Sequence, residues 1–147
     1  MSPSTTIEQR IAHVKDYFRK GDAGDATLLE IFTDDIELYF PKFGARTGKA
    51  AVAAFVQGLL GQIQSLRHYP DRYTYVASGD FVVVEGWESG VMKDGTAWPV
   101  PGRSDGRFCN VFRLRGDRVS HLHIYVDPDF TGQDADRFFW GAESAVP

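Results

Sequence analysis

The last predicted strand carries two histidines and an aspartate whose spacing suits proton transfer. His121 and His123 stand two positions apart, and Asp127 follows four positions after His123. Histidine exchanges a proton near neutral pH and a carboxylate can orient its ring, so His123 with Asp127 is a candidate acid/base pair. Together with His68 the same residues also suggest a metal-binding set. Such pairs arise often by chance, and no metal site is predicted.

Strand alternation decides which of these side chains can enter a pocket. One face of the strand is apolar and carries Leu122, Ile124 and Val126. The opposite face carries His121, His123, Tyr125 and Asp127. If the apolar face turns inward, the histidines lie outside unless a bulge turns Asp127 back. His121 is therefore assigned to a surface or interface, whereas His123 is left open between surface and catalysis.

Asn110 is an amide between two aromatic residues, Phe108 and Phe112, on one face of a predicted strand. That face should be buried, and a buried amide needs a partner from the protein, water or a ligand. The pattern predicts a pocket role, with a structural hydrogen-bond bridge as the alternative. Asp34 and Asp35, by contrast, fall at a helix-to-strand corner, where turn and capping roles are expected.

Hydrophobic periodicity predicts the elements that position these residues. Helices are expected over residues 7–18, with Thr6 as the cap, and over 26–32 and 48–63. A short strand is expected over residues 36–40. Longer runs of period two, separated by glycine-containing turns, predict an antiparallel meander over residues 66–77, 81–92, 107–114 and 119–126.

Composition predicts the character of two further segments. The connection over residues 96–106, which contains Trp98, is interpreted as a passive loop, with a lid over the sheet as the alternative. A short helix is expected around residues 134–140.

Length and charge narrow the class of protein. The 147 residues fit one domain over residues 1–147, and the net charge of −4 with scattered basic residues favours neither nucleic acid nor membrane as a partner. Cys109 is the sole cysteine, which favours a reducing, cytoplasmic compartment. No apolar run is long enough to span a bilayer.

The order of these elements resembles the nuclear transport factor 2-like superfamily, in particular its SnoaL-like and ketosteroid isomerase-like branch. The resemblance is carried by the segments at residues 32–36, 110–119 and 121–127 and by Gly48. It implies an α+β cone, a cystatin-like roll in which a strongly curved antiparallel sheet wraps around three N-terminal helices. The fold does not fix activity, because isomerases, cyclases, dehydratases, hydrolases and non-catalytic members share it.

The resemblance also implies roles for single residues. Tyr17 falls where ketosteroid isomerases carry a phenol of the oxyanion hole, and Asn110 falls at the second donor. Phe40 occupies the position of the base and cannot accept a proton. Asp127 falls near the aspartate that SnoaL-like cyclases use as general acid/base, with His123 in place of an aromatic residue.

The same resemblance suggests the walls of a pocket. It turns Trp87 inward, and Glu85, on the same strand face, would then be a substitute base with a raised pKa; exposure of Glu85 is the preferred alternative. The expected substrate-binding residues are Phe40, Phe55, Leu59, Trp87, Trp98, Phe108, Phe112 and Leu122.

The sequence therefore predicts a cofactor-free homodimer that binds a small apolar molecule. If it is an enzyme, the reaction is isomerisation, cyclisation or dehydration by proton transfer next to a carbonyl. Tyr17 and Asn110 would stabilise the enolate oxygen, and Asp127 or His123 would move the proton. A non-catalytic ligand-binding dimer and a protein-interaction module are the alternatives.

Overall fold

Two α-helices, two 3₁₀ turns and eight strands make up the part of the chain that the computed structural model describes, residues 5–41, 43–101 and 104–127. In chain order they are α1 (Ile7–Ala23), a 3₁₀ turn (Leu28–Ile31), β1 (Phe32–Phe40), β2 (Gly44–Thr47), α2 (Lys49–Gln62), β3 (Ile63–His68), a 3₁₀ turn (Pro70–Arg72), β4 (Thr74–Ser78), β5 (Phe81–Met92), β6 (Ala97–Trp98), β7 (Arg107–Arg115) and β8 (Arg118–Val126). The helix predicted over residues 134–140 lies outside the described residues.

Helix α1 begins at the predicted cap. The Thr6 hydroxyl accepts from the Gln9 amide nitrogen at 3.1 Å, and the Gln9 side chain accepts from the Thr6 nitrogen at 2.8 Å, which satisfies two free donors at the helix start. The helix extends beyond the predicted residue 18 and ends within the predicted break over residues 21–25, at Ala23, with Gly24 as the C-cap at a left-handed φ of 62°. The second predicted helix is only a 3₁₀ turn.

The strands form one curved, unclosed sheet in the order β2-β1-β8-β7-β5-β3, with β4 and β6 also paired to β5. The predicted α+β fold with N-terminal helices is confirmed. The sheet is mixed, because β1 pairs with β8 in parallel while every other pair is antiparallel.

The run over residues 66–77, predicted as one strand, is two strands. Pro70 lacks an amide donor and opens a 3₁₀ turn, so β3 ends at His68 and β4 starts at Thr74. Both strands pair with β5, one after the other, along its twelve residues. This arrangement brings His68 directly opposite Glu88.

The core lies between α1 and the concave face of the sheet. Val14 and Phe18 of α1 are fully buried against inward side chains of four strands: Ile36, Leu38, Val82, Val84, Phe108, Phe112, Leu122 and Ile124. Glycines let two aromatic rings approach β5 closely. A Cβ on Gly86 would collide with the Tyr73 ring, and a Cβ on Gly90 would collide with the Trp98 ring.

Among the described residues, no helix has both the length and the apolar character needed to cross a membrane.

Candidate active site

The carboxyl group of Glu88 points from β5 to the inner face of the sheet. Val82 and Val84 are fully buried, and the same alternation turns Gly86 and Glu88 inward. Glu88 is only 8% exposed. A buried carboxylate needs a partner, and its position opposite β3 supplies one.

That partner is His68, which joins two carboxylates. Its Nε2 lies 3.1 Å from Glu88 Oε2, and its Nδ1 lies 2.5 Å from Oδ1 of Asp22, near the end of α1. Asp22 Oδ2 also accepts from the backbone nitrogen of His68 at 2.6 Å. The three side chains, which we call the His68 triad, thus connect α1, β3 and β5.

The triad favours the protonated histidine. Burial alone would lower the pKa of His68, but hydrogen bonds to Asp22 and Glu88 and the charges of both carboxylates outweigh burial and raise the pKa to about 9. His68 is therefore an imidazolium at neutral pH, and both of its ring nitrogens donate.

Tyr17 lies on the inner face of α1, near the triad. Burial raises the pKa of its hydroxyl, and the charges of Glu88 and Asp22 raise it further. The phenol stays protonated at neutral pH and is therefore a hydrogen-bond donor.

Asn110 is buried as predicted, at 4% exposure, between the inward rings of Phe108 and Phe112. Among the described residues, nothing bonds to its Oδ1 atom. A buried amide oxygen without a partner costs free energy, so it marks a place where a ligand or water would bind.

Aromatic rings connect the triad, Tyr17 and Asn110. The His68 ring lies 5.9 Å from that of Phe108, and the Tyr17 ring lies 5.3 Å from that of Phe112. Asn110 stands between these two phenylalanines on β7. One aromatic cluster therefore borders an imidazole, a phenol and an amide.

His121 and His123 lie on the outer face of the sheet. His123 Nε2 is 2.8 Å from Glu37 Oε2, and His121 Nε2 is 3.7 Å from the same oxygen. A bulge in β8 does exist, but it lies at Ser120, so it leaves the face of the later residues unchanged. The catalytic role of His123 stays a prediction, and it would need a site separate from Tyr17 and Asn110.

Asp127 is exposed and holds a loop. Its Oδ1 accepts from the Ser104 hydroxyl at 3.0 Å, and the Ser104 oxygen accepts from the Gly106 nitrogen at 3.0 Å. Asp127 thus has a structural partner in Ser104, no contact joins it to Tyr17 or Asn110 among the described residues, and its proton-transfer role stays a prediction.

Two further placements on β5 are settled. Trp87 is 37% exposed and lies outside, so its expected inward position is wrong; Gly86 and Glu88 hold the inner positions instead. Glu85 shares the outer face with Trp87, as expected, and its side chain is 67% exposed.

The other expected pocket residues are buried to different degrees. Phe108, Phe112 and Leu122 belong to the packed core, and Phe40 and Phe55 pack on it with ring centroids 5.0 Å apart. Leu59 is half-buried. Trp98 is 6% exposed and packs on β5, so the segment that carries it is tied to the sheet rather than free.

Sequence reasoning missed the triad. Glu88 was detectable, because continuing the alternation from Val82 and Val84 reaches it. Asp22 gave no such signal, since it sits in a segment that reads as a helix break.

Within the described ranges, no group of three or more His, Cys, Asp or Glu side chains is arranged to hold a metal ion.

A family model for the SnoaL-like domain matches residues 12–122. The chain belongs to the SnoaL-like domain family. The match includes Tyr17, the His68 triad and Asn110. No curated protein matches the sequence significantly.

Solved structures share the SnoaL-like fold at low sequence identity. An NTF2-like protein of unknown function from Burkholderia pseudomallei has a TM-score of 0.70 and 18% identity, covering 81% of this chain and 91% of its own. A candidate polyketide cyclase from Xanthomonas campestris pv. campestris has a TM-score of 0.67 and 18% identity, with coverages of 80% and 90%. A candidate isomerase from Bacillus subtilis has a TM-score of 0.64 and 19% identity, with coverages of 82% and 88%.

Proposed function

We propose that this SnoaL-like protein binds a small, largely apolar carbonyl compound inside the cone and catalyses proton transfer at the carbon next to the carbonyl. The observation that carries the proposal is the His68 triad together with the buried Asn110 amide, whose oxygen has no partner among the described residues. The resulting reaction is an isomerisation, a cyclisation or a dehydration without a cofactor. The names of two structural neighbours, a candidate cyclase and a candidate isomerase, agree with this class.

Glu88 is the proposed proton acceptor. Its Oε2 atom accepts from His68, whose other nitrogen donates to Asp22, so the carboxylate is held in one orientation. Oriented carboxylates serve as general bases in apolar sites because proton transfer then needs little rearrangement. This assigns to Glu88 the role that Phe40 cannot fill.

Tyr17 and Asn110 are the proposed oxyanion donors. When Glu88 removes the proton, the C–H electron pair forms a carbon–carbon double bond and the carbonyl oxygen becomes an enolate oxygen. The Tyr17 hydroxyl and the Asn110 amide group donate hydrogen bonds to that oxygen, and donors in a dry site stabilise such charge strongly. The proton then returns to the same carbon or to another one.

Exchange of α-protons in D₂O tests the proposal directly. Small cyclic ketones such as 1-indanone and 2-tetralone are incubated with the protein, and loss of the α-proton signal is followed by proton NMR. We expect acceleration by the native protein, and Glu88→Gln should slow it by about 100-fold or more, since the base is lost. Asn110→Leu should slow it as well.

Glu85→Gln is the matched control, because it makes the same chemical change on the same strand but on the outer face. It should leave the exchange rate unchanged. Equal rates for Glu88→Gln and the native protein would contradict the assignment of the base.

A non-catalytic ligand-binding role is the second candidate. It is favoured by one observation, namely that both ring nitrogens of His68 are already occupied by carboxylates. The triad would then only tie α1 to the sheet, and the ligand would bind to Asn110. Ligand binding without any α-proton exchange would support this candidate.

We also propose that the protein forms a homodimer through the outer sheet face. Large apolar side chains are exposed on β4, β5 and β8: Val76, Phe81, Trp87 and Tyr125. An apolar patch of this kind on a sheet is typical of a surface that is covered in the assembled protein.

A further inference from the structure

The His68 triad, which runs from the last turn of α1 to the inner face of β5, carries more negative than positive charge. Asp22 and Glu88 supply two carboxylates, whereas His68 supplies one imidazolium. The Glu88 and His68 side chains are 10% and 12% exposed, and the Asp22 side chain is 22% exposed although Asp22 as a whole residue lies at the surface. Charge in such surroundings is screened far less than charge at the surface.

In the described ranges, no lysine or arginine offsets this charge. Four of the described lysine and arginine side chains are partly buried, and each has a partner outside the triad. The pairs are Arg10 with Asp80, Lys15 with Asp71, Lys20 with the Thr27 hydroxyl and Lys49 with Asp34. One net negative charge therefore stays with the triad.

Asn110 independently points to a ligand. Its side chain is more than nine-tenths buried, faces the same aromatic cluster and keeps an oxygen without a partner among the described residues. An amide donates through its nitrogen and accepts through its oxygen, so it can bind a carbonyl, a hydroxyl or an ammonium group. It adds no positive charge with which to bind an anion.

We infer that the interior site selects its ligand by charge: it accepts an uncharged ketone or its enol and rejects carboxylates, sulfates and phosphates. An anion entering the cone would lose its hydration and face the net negative charge of the triad. A hydrophobic ammonium ion of the same shape should bind at least as well as the ketone. The inference rests on the proposed function, and it names the substrate class of that site.

Three ligands with one carbon frame test the inference: 1-indanone, protonated 1-aminoindane and indane-1-carboxylate. Each is titrated into ¹⁵N-labelled protein at pH 7, and the dissociation constant is read from the side-chain amide signals of Asn110. The carboxylate should bind about tenfold or more weakly than the ketone, as expected for one uncompensated charge nearby. Glu88→Gln and Asp22→Asn should each reduce the difference in affinity between the ketone and the carboxylate. Glu85→Gln should leave this difference unchanged.

Equal affinity of the native protein for the carboxylate and the ketone would overturn the inference. It would also be overturned if Glu88→Gln and Asp22→Asn showed the same difference in affinity between the two ligands as the native protein. The inference is also overturned if none of the three ligands moves the Asn110 signals.

Failure of charge selection can be told apart from failure of the proposed function. If 1-indanone binds with the expected preference but its α-protons do not exchange faster, proton transfer is wrong and charge selection stands. If exchange is accelerated and the carboxylate binds as tightly as the ketone, only charge selection is wrong.

Discussion

His68 makes the stability of the protein depend on pH. Its pKa is about 9 in the folded chain, against an ordinary value of 6.5. Because the folded pKa is the higher one, the stabilisation is complete below pH 6.5 and is lost as the pH rises through about 9. The free energy of unfolding should fall by about 3 kcal/mol across this window. Urea unfolding at several pH values measures it.

The matched variant for this prediction is His68→Gln, which keeps a polar side chain but cannot titrate. Its unfolding free energy should vary much less between pH 6.5 and 9, even though the variant is less stable overall. An unchanged slope in the variant would assign the pH dependence to other groups. Burial raises the pKa of the Cys109 thiol above its ordinary value of 9.0, so its ionisation affects the unfolding free energy only above this pH window.

At the scale of elements, the segment between β6 and β7 is held by a short chain of hydrogen bonds. Asp127 accepts from Ser104, whose oxygen accepts from the Gly106 nitrogen, and the Gly106 carbonyl accepts from the backbone nitrogen of Glu88 at 2.8 Å. Gly106 has a φ of +69°, and a Cβ there would collide with the Glu88 carbonyl. This segment therefore fixes the backbone of the proposed base.

Ser104→Ala should loosen this contact. We expect a loss of about 1 kcal/mol for the side-chain bonds and faster hydrogen exchange at the Glu88 amide, because its acceptor becomes mobile. Exchange measured residue by residue by NMR checks the expectation. Asp105→Asn, at the neighbouring exposed position, serves as the control. If the Glu88 amide were as well protected in Ser104→Ala as in the native protein, the Ser104 hydroxyl would not be needed to hold this segment in place.

At the scale of the whole molecule, the outer sheet face is the surface through which the proposed homodimer would form. Val76, Val83 and Val111 lie side by side across β4, β5 and β7, so a central row of this face is apolar. If two copies pair here, a charge in this row would be buried without a partner and would separate them.

Val83→Glu should therefore convert a dimer into a monomer. The native protein is expected to have twice the 16.4 kDa chain mass in light scattering coupled to size exclusion, and the variant the mass of one chain. Gln57→Glu, on the exposed side of α2, should leave the mass unchanged. A monomeric native protein would contradict the dimer.

The sequence by itself determined the local patterns. Alternation separated Leu122 and Ile124 from the two histidines but did not decide which of these faces is the inner one, and it buried Asn110 between two phenylalanines. The helix cap at Thr6 and the order of helices and strands were readable for the same reason: each depends on residues within a turn or a few positions.

Tertiary structure alone decided the candidate site. Asp22 lies 46 positions from His68, and Glu88 meets His68 only through the register between β3 and β5. Neither the packing of the end of α1 nor that register is set by local periodicity. Both follow from burying α1 against a sheet whose curvature is built by pairing β5 with β4 and then with β3. The proposed chemistry of this chain thus depends on long-range contacts that only the folded core fixes.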